Sequence, residues 1–249
     1  MGKQSELLQP VVAIARKAAV AVLDVYESRF NVRAKDDASP VTEADERAHE
    51  LIVPALDALT PGVPVISEEG PQPAACARFW LVDPLDGTKE FIQRNGEFTI
   101  NVALVEDGRP TLGVVLAPAI DRLFAGAPGT VFAESRGVRS TIACRCTPAE
   151  GMTVLMSRSH GGDEPMKKFL DGRRVARILS AGSSLKFCLI ACGEADLYPR
   201  LGRTMEWDTA AGHAVLAAAG GKVTTLDGAA LGYGKPGLAN PAFVASGSS

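Results

Sequence analysis

The fold of this chain is constrained most by an apolar segment that runs directly into two acidic residues. Residues 80–82 have the composition of a buried strand, and they are followed by Asp83, a proline, Leu85 and Asp86. Two carboxylates on either side of a proline bend, with the Leu85 carbonyl between them, can face one point. Such oxygen atoms are ligands for hard cations like Mg²⁺, which leave positions open for phosphate and water. The stretch predicts a metal-dependent enzyme that handles phosphate, and the alternative is a turn in which each Asp bonds its own backbone.

The composition excludes several other classes of protein. The chain of 249 residues is 46% hydrophobic and 22% charged, which suits a globular protein with a sizeable core. Its net charge of −3 provides no basic field for nucleic acid. No apolar run approaches the roughly 20 residues of a membrane span, and residues 1–10 lack the order of a signal peptide. The five cysteines include no Cys-x-x-Cys pair, which favours reduced thiols in the cytoplasm over a metal or redox role.

Hydrophobic periodicity in the first part of the chain predicts helices followed by antiparallel strands. Residues 5–29 repeat apolar positions at helical spacing, and a second helix is expected to begin near Thr42. Pro54 lies inside this second pattern, so we expect a kink or an early end there. Alternating segments between residues 98 and 134 predict antiparallel strands.

The pattern changes after the first 145 residues. From Met152 onward, strands alternate with glycine or serine turns and helices, which is typical of an α/β arrangement. We therefore expect residues 1–145 to form an α+β half with an antiparallel sheet and the metal site. Residues 146–249 are expected to form an α/β half that completes the active site.

Three further acidic residues are candidates, although local structure alone can explain each of them. Glu68 follows a predicted strand and can meet the carboxylates of the next strand at one sheet edge, but acidic pairs are usually solvated. Asp45 lies three residues after Thr42, which is also the spacing of a capping box. Asp208 precedes the last predicted helix, where a role as N-cap residue is sufficient to account for it.

A glycine–serine turn precedes a helix that carries Lys186. Residues 182–184 are Gly-Ser-Ser, and the N–H groups of such a helix start can bind an anion together with a lysine one turn later. Helices that begin with serine are also common without a ligand. His160 and Arg200 similarly follow predicted strands. We find no Gly-x-Ser-x-Gly sequence, no paired Cys and His, and no P-loop.

Taken together, these segments resemble the inositol monophosphatase superfamily of Mg²⁺-dependent, Li⁺-sensitive phosphatases. The motifs that carry this resemblance are residues 67–69, 80–91 and 207–212. Within the superfamily the chain is most similar to bacterial 3'(2'),5'-bisphosphate nucleotidases. The motifs that carry this closer similarity are residues 86–91, 157–160, 182–188 and 197–200. The resemblance implies a layered αβαβα sandwich, of mixed α+β and α/β character. It also implies hydrolysis of the 3'-phosphate of adenosine 3',5'-bisphosphate (PAP), a by-product of sulfate assimilation, to give AMP.

The resemblance implies a set of metal ligands. Glu68, Asp83 and the Leu85 carbonyl would bind one Mg²⁺. Asp83, Asp86 and Asp208 would bind a second, with Asp83 bridging the two ions. A third, weaker ion would lie near Glu68.

The resemblance also implies catalytic and substrate-binding residues. Thr88, hydrogen-bonded to Asp45, would take the proton of the attacking water, and Glu68 is the third catalytic candidate. The N–H groups of Gly87 and Thr88 would hold the scissile phosphate. The residues expected to contact the rest of the nucleotide are His160, Ser183, Lys186, Arg200 and Asp208.

Two alternatives of different kinds remain at this point. The chain could instead act on inositol monophosphate or fructose 1,6-bisphosphate, as other members of the superfamily do. It could also be a catalytically silent module that binds a nucleotide or phosphate. The expected partner is a small-molecule nucleotide, with no nucleic acid and no integral membrane contact, and the protein is expected to be a monomer or homodimer. Peripheral association with the cytoplasmic face of the inner membrane is conceivable from the family, but the charge pattern gives it no support.

Overall fold

The computed structural model describes residues 3–34, 40–73, 76–158 and 164–247. The α-helices within these ranges are α1 (Lys3–Glu27), α2 (Glu43–Leu59), α3 (Thr88–Ile92), α4 (Glu164–Leu170), α5 (Leu185–Ala191) and α6 (Ala210–Ala218). The strands before residue 145 are β1 (Val32–Ala34), β2 (Pro40–Thr42), β3 (Val65–Ser67), β4 (Arg78–Asp86), β5 (Thr99–Glu106), β6 (Arg109–Ala117), β7 (Arg122–Ala127), β8 (Thr130–Ser135) and β9 (Val138–Thr141). The later strands are β10 (Met152–Met156), β11 (Val175–Ser180), β12 (Leu197–Arg200), β13 (Thr204–Met205), β14 (Lys222–Thr225), β15 (Ala239–Asn240) and β16 (Phe243–Ser246).

Two large sheets form the framework of the molecule. The first has seven strands in the order β3-β4-β5-β6-β7-β8-β9. In it β3 is parallel to β4 and the later neighbours are antiparallel, so the predicted antiparallel strands are confirmed. The second has five strands in the order β11-β10-β12-β16-β14. In this sheet β10 is parallel to both β11 and β12, while β16 is antiparallel to β12 and β14.

The packing of β4 shows how the layers are stacked. Successive side chains of a strand face opposite sides of its sheet, and those of β4 belong to different cores. Trp80 and Val82 pack with α1 and α2, whereas Phe79 and Leu81 pack with α5, α6 and the second sheet. A smaller cluster joins β10 and β12 to Met166 of α4. The layers therefore run helix, sheet, helix, sheet, helix, which confirms the predicted αβαβα sandwich.

Two glycines allow α6 to lie directly on the first sheet. A Cβ atom added to Gly113 of β6 would be 2.2 Å from the Ala211 carbonyl oxygen of α6. One added to Gly126 of β7 would be 2.9 Å from the Cα of Val215. Any side chain at these positions would push the helix outward. The close contact fixes the start of α6, which carries the turn that contains Asp208.

The early end expected at Pro54 is wrong, because α2 continues through this residue to Leu59, while the alternative of a kink stays a prediction. Proline removes one hydrogen bond to the carbonyl four residues earlier, here that of Glu50. Both Pro54 and Glu50 lie on the exposed face of α2. Water can therefore satisfy the Glu50 carbonyl, and the buried face keeps its packing.

The division of the chain near residue 145 stays a prediction. Each large sheet takes its strands from one side of this point, but α6 of the later part packs in one cluster with strands of the first sheet. Within the described ranges, each helix is too short or too polar to cross a bilayer.

Candidate active site

Three carboxylates from distant parts of the sequence meet at the ends of β3 and β4. Oxygen atoms of Glu68, Asp83 and Asp208 lie within 4.8 Å of one another. Glu68 directly follows β3, and its N–H donates to the Val82 carbonyl at 3.1 Å. The parallel pairing of β3 with β4 therefore aligns Glu68 with Asp83, which is 1% exposed. A partly buried group of carboxylate oxygens is a donor set that suits Mg²⁺.

Asp86 reaches the same region because β4 is irregular near its end. Residues three apart in a regular strand face opposite sides of the sheet. Here Asp83 pairs with Asn101 while Asp86 pairs with Thr99, so β4 holds one residue more than its partner strand. This bulge changes the face that Asp86 presents. Its charge contributes to the raised pKa of Asp83, so the two carboxylates are neighbours.

Burial and mutual repulsion raise the pKa of these carboxyl groups. The pKa of Asp83 lies well above its usual value because of burial and then the charges of Glu68 and Asp86. Burial, followed by repulsion from Asp86, raises the pKa of Asp208 to about 8. Burial also raises the pKa of Asp86 to about 6, although Lys186 acts in the opposite direction. A nearby cation lowers such pKa values. The cluster therefore fits a divalent metal ion in both its donor atoms and its charge.

Asp208 is held differently from the N-cap role that its position suggested. The N-cap residue of α6 is Thr209, whose side chain makes no capping hydrogen bond. The Asp208 Oδ2 atom instead accepts a hydrogen bond from the Met205 N–H at 2.8 Å. The N-cap expectation is therefore wrong, since the helix begins one residue later and the carboxylate bonds backward along the chain.

Asp45 is buried in the first turn of α2, where it forms the expected capping box. Its Oδ2 atom accepts hydrogen bonds from the Thr42 N–H at 2.8 Å and from Thr42 Oγ1 at 2.7 Å. Burial raises the pKa of Asp45 to about 6, although the hydrogen bonds from Thr42 lower it. The local structural role is confirmed, and the catalytic role stays a prediction.

The hydrogen bond expected between Thr88 and Asp45 is not formed in the described part of the chain. The Thr88 hydroxyl donates instead to the Leu85 carbonyl at 3.5 Å. Thr42 already occupies Oδ2 of Asp45, and the Thr88 hydroxyl turns toward the carbonyl of its own turn. A distance of 3.5 Å is at the limit for a hydrogen bond, so the hydroxyl is weakly held. The relay role of Thr88 stays a prediction.

A cleft of about 190 Å³ opens beside Asp86 and Asp208. The predicted substrate residues that line it are Gly87, Ser183, Lys186, Arg200 and Asp208. Thr88 is not part of this lining, and His160 lies outside the described residues. The lining residues to which the sequence analysis assigned no role are Lys89, Glu90, Ser157, Phe187, Tyr198, Thr204 and Thr209.

Lys186 brings a buried positive charge to this cleft. It is 4% exposed, and its Nζ atom donates to the Ala181 carbonyl at 3.1 Å and to the Ser183 carbonyl. Nζ also lies 5.1 Å from the centre of the Tyr198 ring. Burial lowers the pKa of Lys186 to about 8, while Asp86 acts in the opposite direction. The ammonium group is therefore placed to meet an anionic ligand.

Two polar atoms beside the cleft have no hydrogen-bond partner of their own. Among the described residues, three buried side-chain atoms lack a partner, and Ser183 Oγ and Arg200 Nε are two of them. Both residues line the cleft. Buried polar groups without partners are uncommon in native proteins. Two donors beside one cleft suit a ligand with several oxygen atoms.

Sequence reasoning missed the residues that hold Asp86 in place. Its Oδ2 atom accepts from the Ser184 N–H at 2.7 Å and lies 3.4 Å from Asn101 Nδ2. Ser184 Oγ and Thr99 Oγ1 both lie within hydrogen-bond distance of Asn101 Oδ1, at 2.7 Å and 3.1 Å. The available signal was a pair of polar residues, two positions apart, in the otherwise apolar segment of β5.

Glu97 was also missed, and it joins two loops of the later half. Its carboxylate accepts from the Gly182 N–H at 2.7 Å and from Arg158 Nε at 2.7 Å. These partners lie 85 and 61 residues away along the chain. A contact at such a distance leaves no local pattern in the sequence.

Comparisons with known proteins agree with this architecture. A family model described as the inositol monophosphatase family matches residues 3–247. The 3'(2'),5'-bisphosphate nucleotidase CysQ of Escherichia coli K12 is 48% identical over 247 residues, which are 96% of this chain and 99% of that protein. Its counterpart in Salmonella typhimurium LT2 is 47% identical over 245 residues, or 95% of this chain and 98% of that protein.

Solved structures lead to the same family. The structure of CysQ from Bacteroides thetaiotaomicron, a bacterial member of the inositol monophosphatase family, superposes with a TM-score of 0.84 and 38% identity. The superposition covers 99% of this chain and 98% of that one. Because the family model spans almost the full chain and the relatives share close to half of its residues, this chain belongs to the inositol monophosphatase family.

Proposed function

We propose that the protein is a Mg²⁺-dependent phosphoric monoester hydrolase that removes the 3'-phosphate of adenosine 3',5'-bisphosphate and releases AMP and phosphate. The observation that carries this substrate is the 48% identity to an Escherichia coli bisphosphate nucleotidase over nearly the whole of both chains. The acidic cluster supports the reaction class. Such an activity belongs to sulfur metabolism, where it recycles the bisphosphate nucleotide.

The proposed ligands for two Mg²⁺ ions are the residues of the acidic cluster and one carbonyl. Glu68, Asp83 and the Leu85 carbonyl would hold one ion, while Asp83, Asp86 and Asp208 would hold the other. A third, weaker ion would lie near Glu68. When bound, the ions supply positive charge that activates a water and stabilises the phosphate oxygens. The raised pKa values of Asp83 and Asp208 support this proposal, since each carboxylate lacks the counter-charge that favours its ionised form.

The proposed roles in phosphate binding and proton transfer fall to the turn after β4. Gly87 has a φ of 90°, a backbone conformation that glycine adopts without strain. The N–H groups of Gly87 and Thr88 would cradle the scissile phosphate, and the Thr88 hydroxyl would take the proton of the attacking water as it passes its own to Asp45. Catalytic hydrogen bonds are often long before the substrate binds, and the weakly held Thr88 hydroxyl can rotate. Glu68 contributes to orienting the water.

The proposed contacts to the rest of the nucleotide come from other residues that line the same cleft. Lys186 and Arg200 provide positive charge for the phosphate that is not cleaved, and Ser183 adds a hydroxyl. The partnerless atoms Ser183 Oγ and Arg200 Nε support this assignment. His160 is assigned to the same nucleotide contacts from the resemblance alone.

The surroundings proposed for this activity are those of the cytoplasm. The five cysteines are all free, which supports a reducing compartment. We further propose a monomer or homodimer that acts on a small-molecule substrate.

A substrate panel tests the proposed function. Phosphate release with Mg²⁺ would be measured on adenosine 3',5'-bisphosphate, inositol monophosphate and fructose 1,6-bisphosphate, and the values of kcat/KM compared. We expect the nucleotide to give the highest value. A higher value on inositol phosphate or on the sugar bisphosphate would overturn the substrate, and no release from any of the three would indicate a binding module.

Lithium provides a separate test of the metal-dependent mechanism. Li⁺ is a small, hard cation that suits the same oxygen ligands but brings half the charge of Mg²⁺. We expect millimolar Li⁺ to inhibit the Mg²⁺-dependent release of phosphate. Activity that is indifferent to Li⁺ would count against the proposed mechanism.

A further inference from the structure

A closed polar network lies beneath the acidic cluster, between the first sheet and α5. Its members are Thr99 and Asn101 of β5 and Ser184 of the turn before α5, which are respectively 0%, 1% and 1% exposed. Thr99 Oγ1 and Ser184 Oγ lie 2.9 Å apart. Buried polar groups that satisfy one another in this way fix a single arrangement of their side chains. The network also reaches Asp86.

The hydrogen bonds determine how the Asn101 amide is oriented. Its Oδ1 atom lies 2.7 Å from Ser184 Oγ and 3.1 Å from Thr99 Oγ1, and both of these are hydroxyl groups that can donate. An amide oxygen accepts and an amide nitrogen donates. Because the hydroxyls can donate or accept whereas the Asp86 carboxylate only accepts, it is the Nδ2 group that faces Asp86 Oδ2, at 3.4 Å.

The same contacts divide the two oxygen atoms of Asp86 between different tasks. Oδ2 is the acceptor for both the Ser184 N–H and Asn101 Nδ2. The 2.7 Å bond from Ser184 anchors this oxygen, and the longer contact from Asn101 limits rotation of the carboxylate about it. Oδ1 then keeps a fixed direction and remains available as a ligand.

We infer that Asn101 is a positioning residue for Mg²⁺ binding. Asn101 orients the Asp86 carboxylate through Nδ2, and its own side chain is fixed by Thr99 and Ser184. This inference rests on the proposed role of Asp86 as a metal ligand. Asn101 is not assigned any contact with substrate or metal. Groups that orient a metal ligand in this manner typically contribute about 10–100-fold to metal affinity.

The test is the affinity for Mg²⁺ in two variants, Asn101→Leu and Asn101→Ala. Leucine keeps the branched shape and the number of side-chain heavy atoms of asparagine, while alanine leaves space, and both remove the donor to Asp86. Titration calorimetry with MgCl₂ and the rise of melting temperature with Mg²⁺ would be measured on metal-free protein without substrate. We expect both variants to bind Mg²⁺ roughly 10–100-fold more weakly than the unmodified protein.

A matched control separates positioning from a general loss of stability. Val12 is 4% exposed on α1 and packs in the core on the other side of the first sheet. Val12→Ala is expected to lower the melting temperature but to leave the Mg²⁺ affinity unchanged. If Val12→Ala weakens Mg²⁺ binding as much as the Asn101 variants do, the positioning role is overturned.

Failure of this inference can be distinguished from failure of the proposed function. If the unmodified protein does not bind Mg²⁺, the proposed metal site itself is wrong and the inference falls with it. If the unmodified protein binds Mg²⁺ and a folded Asn101 variant binds it within about twofold, only the inference is overturned. Alanine adds no bulk, so Asn101→Ala provides this comparison even if Asn101→Leu does not fold.

Discussion

At the residue scale, the site is governed by the number of negative charges that share a small buried volume. Burial raises the pKa of Asp83, and repulsion from Glu68, Asp86 and Asp208 adds to this effect. Without a cation these carboxylates oppose one another, and with a cation the same oxygens become ligands. A change at Asp83 should therefore affect folding and turnover in different ways.

Replacing Asp83 with Asn should abolish Mg²⁺-dependent turnover while leaving the fold intact. The variant removes a proposed bridging ligand. Loss of a group that only orients a metal ligand costs up to about 100-fold in activity, so we expect loss of the ligand itself to lower kcat/KM by at least this factor. Phosphate release over a range of Mg²⁺ concentrations, together with thermal melting, measures both effects. Asp107→Asn, in an exposed hairpin turn, is the matched control. Activity retained in Asp83→Asn would exclude the bridging role.

The sequence reveals the proposed ligands more readily than the groups that hold them. Asp83 and Asp86 lie at the end of β4 and Glu68 directly follows β3, so their positions could be predicted from local patterns. Asp86, however, is oriented by Asn101 and by Ser184, which is 98 residues away. A side chain whose role depends on contacts with distant parts of the chain leaves no local sequence pattern. In the sequence, Asn101 resembles any other polar residue of a strand.

At the element scale, α6 connects the active site to the packing of the first sheet. The helix begins two residues after Asp208, and the absence of side chains at Gly113 and Gly126 lets it pack closely on the sheet. Displacement of this helix should move the Asp208 carboxylate away from the other two ligands. Packing beneath the helix and the proposed metal binding near its start should therefore be coupled.

Gly113→Ala should impair both stability and activity. Its Cβ would meet the Ala211 carbonyl oxygen at 2.2 Å, and the helix backbone cannot yield as a flexible side chain can. Overpacking of this kind costs about 1–3 kcal/mol of unfolding free energy, measured by urea denaturation, and kcat/KM should fall. Gly232→Ala, where an added Cβ meets nothing within 4 Å, serves as the control. Equal behaviour of the two variants would show that α6 adjusts without consequence.

His213 of α6 should make the protein less stable in acid. Burial lowers its pKa to about 4, whereas an unfolded histidine has a pKa of about 6.5. Between these values the unfolded chain binds a proton that the folded chain does not, so stability falls as the pH decreases. His213→Gln should reduce the difference in urea midpoint between pH 7 and pH 5. A His213 ring that titrates near pH 6.5 in an NMR experiment would contradict this explanation.

Element boundaries show where sequence patterns reach their limit. The periodicity of α2 was predicted correctly, but its continuation past Pro54 depends on that residue facing solvent. The bulge at the end of β4 was likewise hidden, because it is defined by the partners of Asp83 and Asp86 in β5. Such features depend on which element lies beside another.

At the scale of the whole molecule, an ion pair secures the connection between the two sheets. Arg145 lies between β9 and β10, and its guanidinium donates to both oxygens of Asp196 at 2.9 Å and 2.8 Å. The Thr153 N–H of β10 donates to the same carboxylate at 2.7 Å. The Asp196 side chain is 3% exposed. These bonds join the connecting segment to the second sheet.

Asp196→Asn should reduce stability without a comparable loss of activity. The change removes a charge that satisfies two partners, and hydrogen bonds to charged groups contribute about 1.5–3 kcal/mol. Urea denaturation should show a loss in this range, and kcat/KM should stay close to that of the unmodified protein, since Asp196 does not line the cleft beside Asp86. Glu164→Gln, in an exposed pair with Lys167, should have almost no effect. A large loss of kcat/KM in Asp196→Asn would show that the connection influences the active site.

The overall architecture could be predicted because its motifs are local, while the contacts between halves could not. The segments around Asp83 and Asp208 resemble one family, and that family implies the αβαβα sandwich. The sequence also showed that the pattern changes near residue 145. It did not show that α5 and α6 would lie between the two sheets, since this placement depends on both sheets at once.

The middle position of α5 and α6 has a consequence for how the chain is made. Both helices follow every strand of the first sheet in the sequence. Translation proceeds at roughly 5–20 residues per second. The sheet face that carries Phe79 and Leu81 therefore stays exposed until α5 and α6 have been synthesised and can pack on it. Asp208 leaves the ribosome later than Glu68 and Asp83, so the acidic cluster is completed only near the end of synthesis. The nascent protein thus presents an apolar sheet face that a chaperone can bind before the metal site exists.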